Sequence, residues 1–110
     1  MVAEGSLSVL FRAGNAELSS AGRSRLRQFA KLAVPMGKPI ILEGYGDFSS
    51  SDDFDFALAQ LRIDRVRAEL LSSGCQDWLV YARGMGHGVH GARPDDVKSR
   101  RRTVRVVIVQ

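Results

Sequence analysis

Cysteine is all but missing from this 110-residue chain, where Cys75 stands alone. A single thiol excludes an intrachain disulfide and a metal cluster built on cysteines. Long apolar runs are missing too. Charged or glycine positions interrupt every hydrophobic stretch, so nothing resembles a signal peptide or a membrane-spanning helix. Aromatic residues make up 7% of the chain, and Phe11, Tyr45 and Tyr81 are too scattered to form a platform for stacked bases. Histidine is confined to His87 and His90, inside the glycine-rich run 84–91. Two histidines in a loop, even with Asp95 or Asp96 nearby, are thin material for a metal site. The glycines of that run lead into Pro94 and a basic segment instead of opening the helix of a βαβ unit, which excludes a dinucleotide fingerprint. They predict a mobile loop instead. The serines crowd one turn with no histidine near them, and the acids sit mainly at helix starts. No catalytic arrangement emerges, so the chain reads as a non-catalytic domain with no cofactor.

What is present suits one compact domain, with 45% apolar and 25% charged residues. The net charge is +4, carried mostly by arginine. Such a surface could meet carboxylates, acidic lipid or nucleic acid, and net charge does not choose among them.

Residues 1–5 read as a flexible lead-in, and 6–110 as the domain. Leu7, Val9 and Phe11 alternate as one face of a strand. A helix starts near Ser19 or Ser20, either of which can cap it. Leu26, Phe29, Ala30 and Ala33 form its core face at i, i+3, i+4, i+7 spacing, and Pro35 and Gly37 end it. Its arginines (Arg23, Arg25, Arg27) and Lys31 lie off that face as a solvated side. Ile40 to Tyr45 reads as a central strand. A turn over 48–53 leads to a second helix capped by Asp52 or Asp53 and stopped by Gly74. Trp78 to Ala82 reads as a third strand. In the last strand Val104, Val106 and Ile108 share one face. The order βαβαββ with short links predicts an α/β sandwich, two helices packed on one mixed sheet.

The second helix carries the feature that asks for an explanation. Leu58, Ala59, Ile63, Val66 and Leu70 make an apolar stripe, and Arg62 lies inside it, one turn from Leu58 and one from Val66. A guanidinium cannot shed its proton to escape burial, so it needs an anion or a route to water. Asp47, at the end of the run Ile40–Ile41–Leu42, is the natural anion. The alternative is an arginine that lays its stem over the core and keeps its head wet.

These residues resemble the signature of the OmpA-like (OmpA C-terminal, MotB-type) peptidoglycan-binding domain: Gly-His-Thr-Asp, a short turn, then Asn-x-x-Leu-Ser-x-x-Arg-Ala-x-x-Val. Gly44-Tyr45-Gly46-Asp47 stands at the first part, and Asp55, Leu58, Arg62 and Val66 follow without a gap. Phe11, Gly14 and Leu18 resemble the family's opening, Gly84-x-Gly86 with Pro94 its glycine segment, and the start of the last strand its Asn-Arg-Arg-Val-Glu-Ile. Asp55 stands for the Asn, Ala59 for the Ser, Ile63 for the Ala and Gly46 for the Thr; the family asparagine before the last strand is missing. The resemblance implies the βαβαββ fold and non-covalent binding of peptidoglycan through the diaminopimelate of its stem peptide. It assigns the ligand to Asp47 and Arg62, with Asp55, Phe48 and Arg102 around them. Arg62 is expected to fork onto the ligand carboxylate, and Asp47 to take the ammonium. Asp55 would add negative charge where the family has an amide, unless it serves Arg62 or the helix cap. It further implies a periplasmic or cell-envelope location, as a domain excised from a longer anchored protein. The runner-up is a domain of the same fold that has lost wall binding and assembles with envelope proteins, its Asp47–Arg62 pair structural. Nucleic-acid binding through Arg100, Arg101 and Arg102 ranks last for want of a stacking surface.

Overall fold

The computed structural model describes residues 5–48, 51–86 and 101–110. Among these residues, four strands and two helices follow one another as β1 (Ser6–Leu10), α1 (Ser20–Ala33), β2 (Ile40–Tyr45), α2 (Asp52–Ser72), β3 (Val80–Gly86) and β4 (Thr103–Ile108). One-turn 3-10 segments, Val34–Met36 and Asp77–Leu79, precede β2 and β3. The sheet order is β1-β4-β2-β3. β4 runs antiparallel to both β1 and β2, while β2 and β3 are parallel, so the sheet is mixed as expected.

Both helices cover one face. Ile40 and Leu42 of β2, Val104, Val106 and Ile108 of β4 and Val9 of β1 point into a core closed by Leu26, Phe29, Ala30, Ile63, Val66 and Leu70. The alternation of each strand and the 3.6-residue stripe of each helix therefore meet in a single layer. Gly5 already belongs to the sheet edge, since its carbonyl accepts from Ile108 N at 2.6 Å.

Two contacts set how closely α2 approaches β2. A Cβ on Gly44 would stand 2.5 Å from Ile63 Cγ1, and one on Gly46 would stand 2.6 Å from the Asp55 carbonyl oxygen. Only a residue without a side chain lets the helix backbone lie this near the strand. That approach brings the start of α2 beside the end of β2, where Asp47 follows.

The boundaries differ from the sequence reading in three places. Ser19 caps α1 as expected, accepting from Gly22 N at 2.9 Å. For α2, however, the cap is Ser51, whose hydroxyl accepts from Phe54 N at 3.1 Å; Asp52 and Asp53 fall in the first turn. There they still meet the positive end of the helix dipole. The third strand begins at Val80, because Trp78 and Leu79 belong to the 3-10 turn that Arg67 ties down through Asp77 and the Val80 carbonyl. It then runs on through Gly84 to Gly86, paired with Gly44 and Tyr45, so the first part of the expected mobile loop is sheet. The remainder, with His87, His90, Asp95 and Asp96, lies outside the described residues. Among the described residues no group of three potential metal ligands occurs, and no helix is long and apolar enough to cross a membrane.

Candidate functional site

At the end of the sheet where β1 and β2 finish and β4 starts, the Arg62 side chain enters the protein completely, with 0% exposure. Its place between Leu58 and Val66 on the core side of α2 leaves it no path to water. The guanidinium is satisfied from three directions. Nε donates to the Asn15 carbonyl at 2.9 Å, Nη1 to the Tyr45 carbonyl at 3.0 Å, and Nη2 to the Arg12 carbonyl at 3.0 Å. Nη2 also donates to Asp47 Oδ1 at 2.7 Å, closing an ion pair. The Phe11 ring stacks below, with its centroid 5.4 Å from Arg62 Cζ.

Arg62 and Asp47 are therefore together, as the stripe argument requires, and the alternative of a wetted head does not hold. The guanidinium expected to face a ligand carboxylate donates here to backbone carbonyls of the β1–α1 loop and β2 and to Asp47.

Asp47 is what reaches the surface, its side chain 12% exposed. Oδ1 takes Arg62, and Oδ2 accepts from Gly14 N at 2.5 Å. Both contacts fix the carboxylate plane. The third neighbour is Arg102, with Nε 3.8 Å from Asp47 Oδ1 and its side chain 35% exposed. Arg102 Nε is buried and has no hydrogen-bond partner among the described residues. Its backbone is pinned on both sides, N donating to the Gly46 carbonyl and O accepting from Phe11 N, each at 2.7 Å.

Among the described residues, two non-glycine residues take positive φ, Phe48 at 58° and Arg102 at 61°. Both flank Asp47, one next in sequence and the other through Gly46. Left-handed backbone in a bulky residue costs about 1–3 kcal/mol and persists where surrounding structure imposes it, often at functional sites. Phe48 is half-buried at this rim. Asp55 is wholly buried at the first turn of α2, against the Gly46 backbone, and does not face outward.

The sequence reading missed the loop after β1. Arg12, Gly14 and Asn15 supply two carbonyls and one amide to the Asp47–Arg62 pair. The signal was there in Gly14-Asn15: Gly14 turns at φ 66°, and Asn15 Oδ1 accepts from Glu17 N at 2.5 Å. A hollow of about 490 Å³, lined by Glu17, Arg23, Arg65 and Glu69 among others, lies between the helices and contains none of the Asp47 cluster.

No protein-family model matches the chain, and no curated protein matches its sequence. Solved structures do match. The OmpA-like domain of FopA1 from Francisella tularensis subsp. tularensis SCHU S4 superposes with a TM-score of 0.75 at 16% identity, covering 96% of this chain and 73% of that one. The peptidoglycan-associated lipoprotein from Burkholderia pseudomallei gives 0.68 at 21% identity, over 93% of this chain and 87% of that one. The cell wall anchor of the T6SS from Pseudomonas aeruginosa gives 0.72 at 16% identity, over 96% and 81%. At these identities the likeness establishes a shared fold.

Proposed function

We propose that this chain, an OmpA-like domain by fold, binds peptidoglycan non-covalently through the diaminopimelate of the stem peptide and anchors a larger envelope protein to the cell wall in the periplasm. The free end of diaminopimelate carries an ammonium and a carboxylate on one carbon. It asks for an acid and a base side by side at a surface, each already oriented. The observation that carries the reading is Asp47, held by Arg62 and by Gly14 N with Arg102 beside it. Two fold neighbours are a peptidoglycan-associated lipoprotein and a cell wall anchor, which supports the wall as the ligand class.

The roles follow from exposure. Asp47 takes the ammonium. Arg102, partly exposed beside Asp47, takes the carboxylate as a charge-assisted pair. Arg62 is a positioning residue that locks Asp47 and the loop from Arg12 to Asn15. Phe48 walls the site. Asp55 acts from beneath, adding negative charge that opposes the ligand carboxylate.

A second reading has one observation in its favour: the donors of Arg62 go to the chain itself, as a structural pair would have it. On that reading the domain assembles with envelope proteins and does not bind the wall. Sedimentation with purified peptidoglycan, with free diaminopimelate as competitor, separates the two. On our reading the wild type sediments and diaminopimelate releases it. Arg102→Gly suits the positive φ and removes the side chain, so retention should fall while thermal stability stays within about 1 kcal/mol, the relief of strain offsetting the flexibility of glycine. Asp55→Asn should tighten binding. A wild type that stays in the supernatant, with no rescue by Asp55→Asn, puts the assembly reading first.

A further inference from the structure

The Asp47 cluster occupies one end of the sheet, and the other end is built differently. There α1 finishes, β1, β2 and β3 begin and β4 ends. The chain after α2 packs in as well: a Cβ on Gly74 would lie 3.7 Å from Val34 Cγ2. Five large apolar side chains are exposed at this end. Trp78 is 69% and Leu32 67% accessible, and Val34, Met36 and Val109 are also exposed. Val109 N donates to the Pro39 carbonyl at 2.8 Å, which holds it beside the start of β2. Trp78, in the 3-10 turn just before Val80, and Lys38, two residues before Ile40, both lie ahead of the paired start of β2 and β3.

Among the described residues at this end bases outnumber acids. Lys31 and Lys38 flank the apolar residues, and they are the only lysines among the described residues, where every other strong base is arginine. The acid at this end, Asp77, is engaged by Arg67. An exposed tryptophan with aliphatic neighbours and flexible ammonium groups at the rim is the chemistry of a lipid interface. Indole rings favour the headgroup level, lysine stems lie along apolar surface, and their heads meet anionic phosphates.

We infer that this end docks on an anionic phospholipid surface. A second copy of the chain fits less well. A two-fold contact through the same patch would bring Lys31 and Lys38 of both copies into one apolar interface, where like charges lose their water and repel. The strands separate this end from Asp47 by about 20 Å, at roughly 3.3 Å per residue, so the two surfaces do not compete.

Trp78 is the only tryptophan in the chain, so its fluorescence reports on this end alone. The full chain is titrated with vesicles of mixed phosphatidylglycerol and phosphatidylcholine, and with phosphatidylcholine alone. We expect a blue shift, and quenching by brominated acyl chains, with the anionic vesicles only. Lys31→Gln and Lys38→Gln should each weaken partitioning about fivefold, and Leu32→Ser should reduce the shift. None of these exposed positions touches the Asp47 cluster, so sedimentation with peptidoglycan should be unchanged in all three. Emission indifferent to anionic vesicles overturns the inference. So does an equal shift on phosphatidylcholine alone, or a blue shift that grows with protein concentration in the absence of lipid, which would mark self-association.

Discussion

Replacing Arg62 by lysine keeps the charge and removes the fork, which isolates what the guanidinium geometry contributes. Arg62 makes four hydrogen bonds, to the carbonyls of Asn15, Tyr45 and Arg12 and to Asp47 Oδ1, from three nitrogens that point in different directions. A lysine ammonium is one nitrogen. It can keep the Asp47 pair and reach one carbonyl, leaving two acceptors without their donor. Hydrogen bonds from a charged donor contribute about 1.5–3 kcal/mol each, so losing two costs about 3–6 kcal/mol. The bonds to Asn15 and Arg12 are only part-buried, so water can replace some of that loss and the lower half of the range is expected. The contact with Phe11 survives in a lysine and hardly changes the sum. At about 4 °C per kcal/mol for a domain of this size, Arg62→Lys should lower the thermal midpoint by about 12–18 °C. Thermal and urea unfolding followed by circular dichroism read this directly, and an unchanged urea slope would confirm that stability, not the denatured state, has moved. A midpoint within about 3 °C of the wild type would refute the claim that Arg62 holds the loop to the sheet.

Gly46→Ala should be costly, because its Cβ would meet the Asp55 carbonyl oxygen, Cα and Cβ within 2.6 to 2.7 Å and none of these can swing aside. We expect about 1–3 kcal/mol of destabilisation, against about 1 kcal/mol for Gly14→Ala, whose Cβ would meet nothing within 4 Å and whose cost is the positive φ alone. Equal unfolding midpoints for the two variants would argue against the tight helix–strand approach. Burial pushes the Cys75 thiol above its ordinary pKa, so this part of the stability is intact below the ordinary thiol value and is lost as pH rises through the raised one. Iodoacetamide at about pH 8 should label Cys75 slowly in the folded protein and rapidly in urea, and equal rates would contradict its burial.

Much of the fold was legible because periodicity and punctuation agreed. Leu26, Phe29, Ala30 and Ala33 are all buried on α1, and Pro39 and the apolar run set β2 at Ile40–Tyr45. Misreadings occurred where neighbouring residues could play the same part. In the run of serines and aspartates before α2 several side chains could cap, and the helix takes Ser51. Trp78 and Leu79 have strand-forming side chains, yet Arg67 holds Asp77 in a turn and delays β3 to Val80. Gly84 and Gly86 carry weak strand propensity, but parallel pairing with β2 overrides it. Glycine even helps at Gly84, since a Cβ there would come within 3.3 Å of the Phe56 ring. The strand order β1-β4-β2-β3 has no local signal at all, because it depends on which non-local edges meet.

The site was legible to a different depth at each residue. Spacing on α2 puts Arg62 on the core face between Leu58 and Val66 but leaves open a head that reaches water, and it is the structure that shows the side chain fully buried. Spacing does not show where the five N–H groups of a guanidinium go. The partners lie 15 to 50 residues away in sequence, and three of the four are backbone carbonyls, which any residue type supplies. An acid can be sought by its letter, but a carbonyl cannot. That is why Asp47 could be named in advance and the loop from Arg12 to Asn15 could not. The same limit explains how Arg102 gains weight. As one of three consecutive arginines it reads as part of a charge run, but a φ of 61° and two backbone bonds turn it toward Asp47. Once the buried arginine is spent on the chain, a surface able to hold an ammonium and a carboxylate together needs a second cation beside Asp47. Among the described residues, Arg102 is the one the geometry places there.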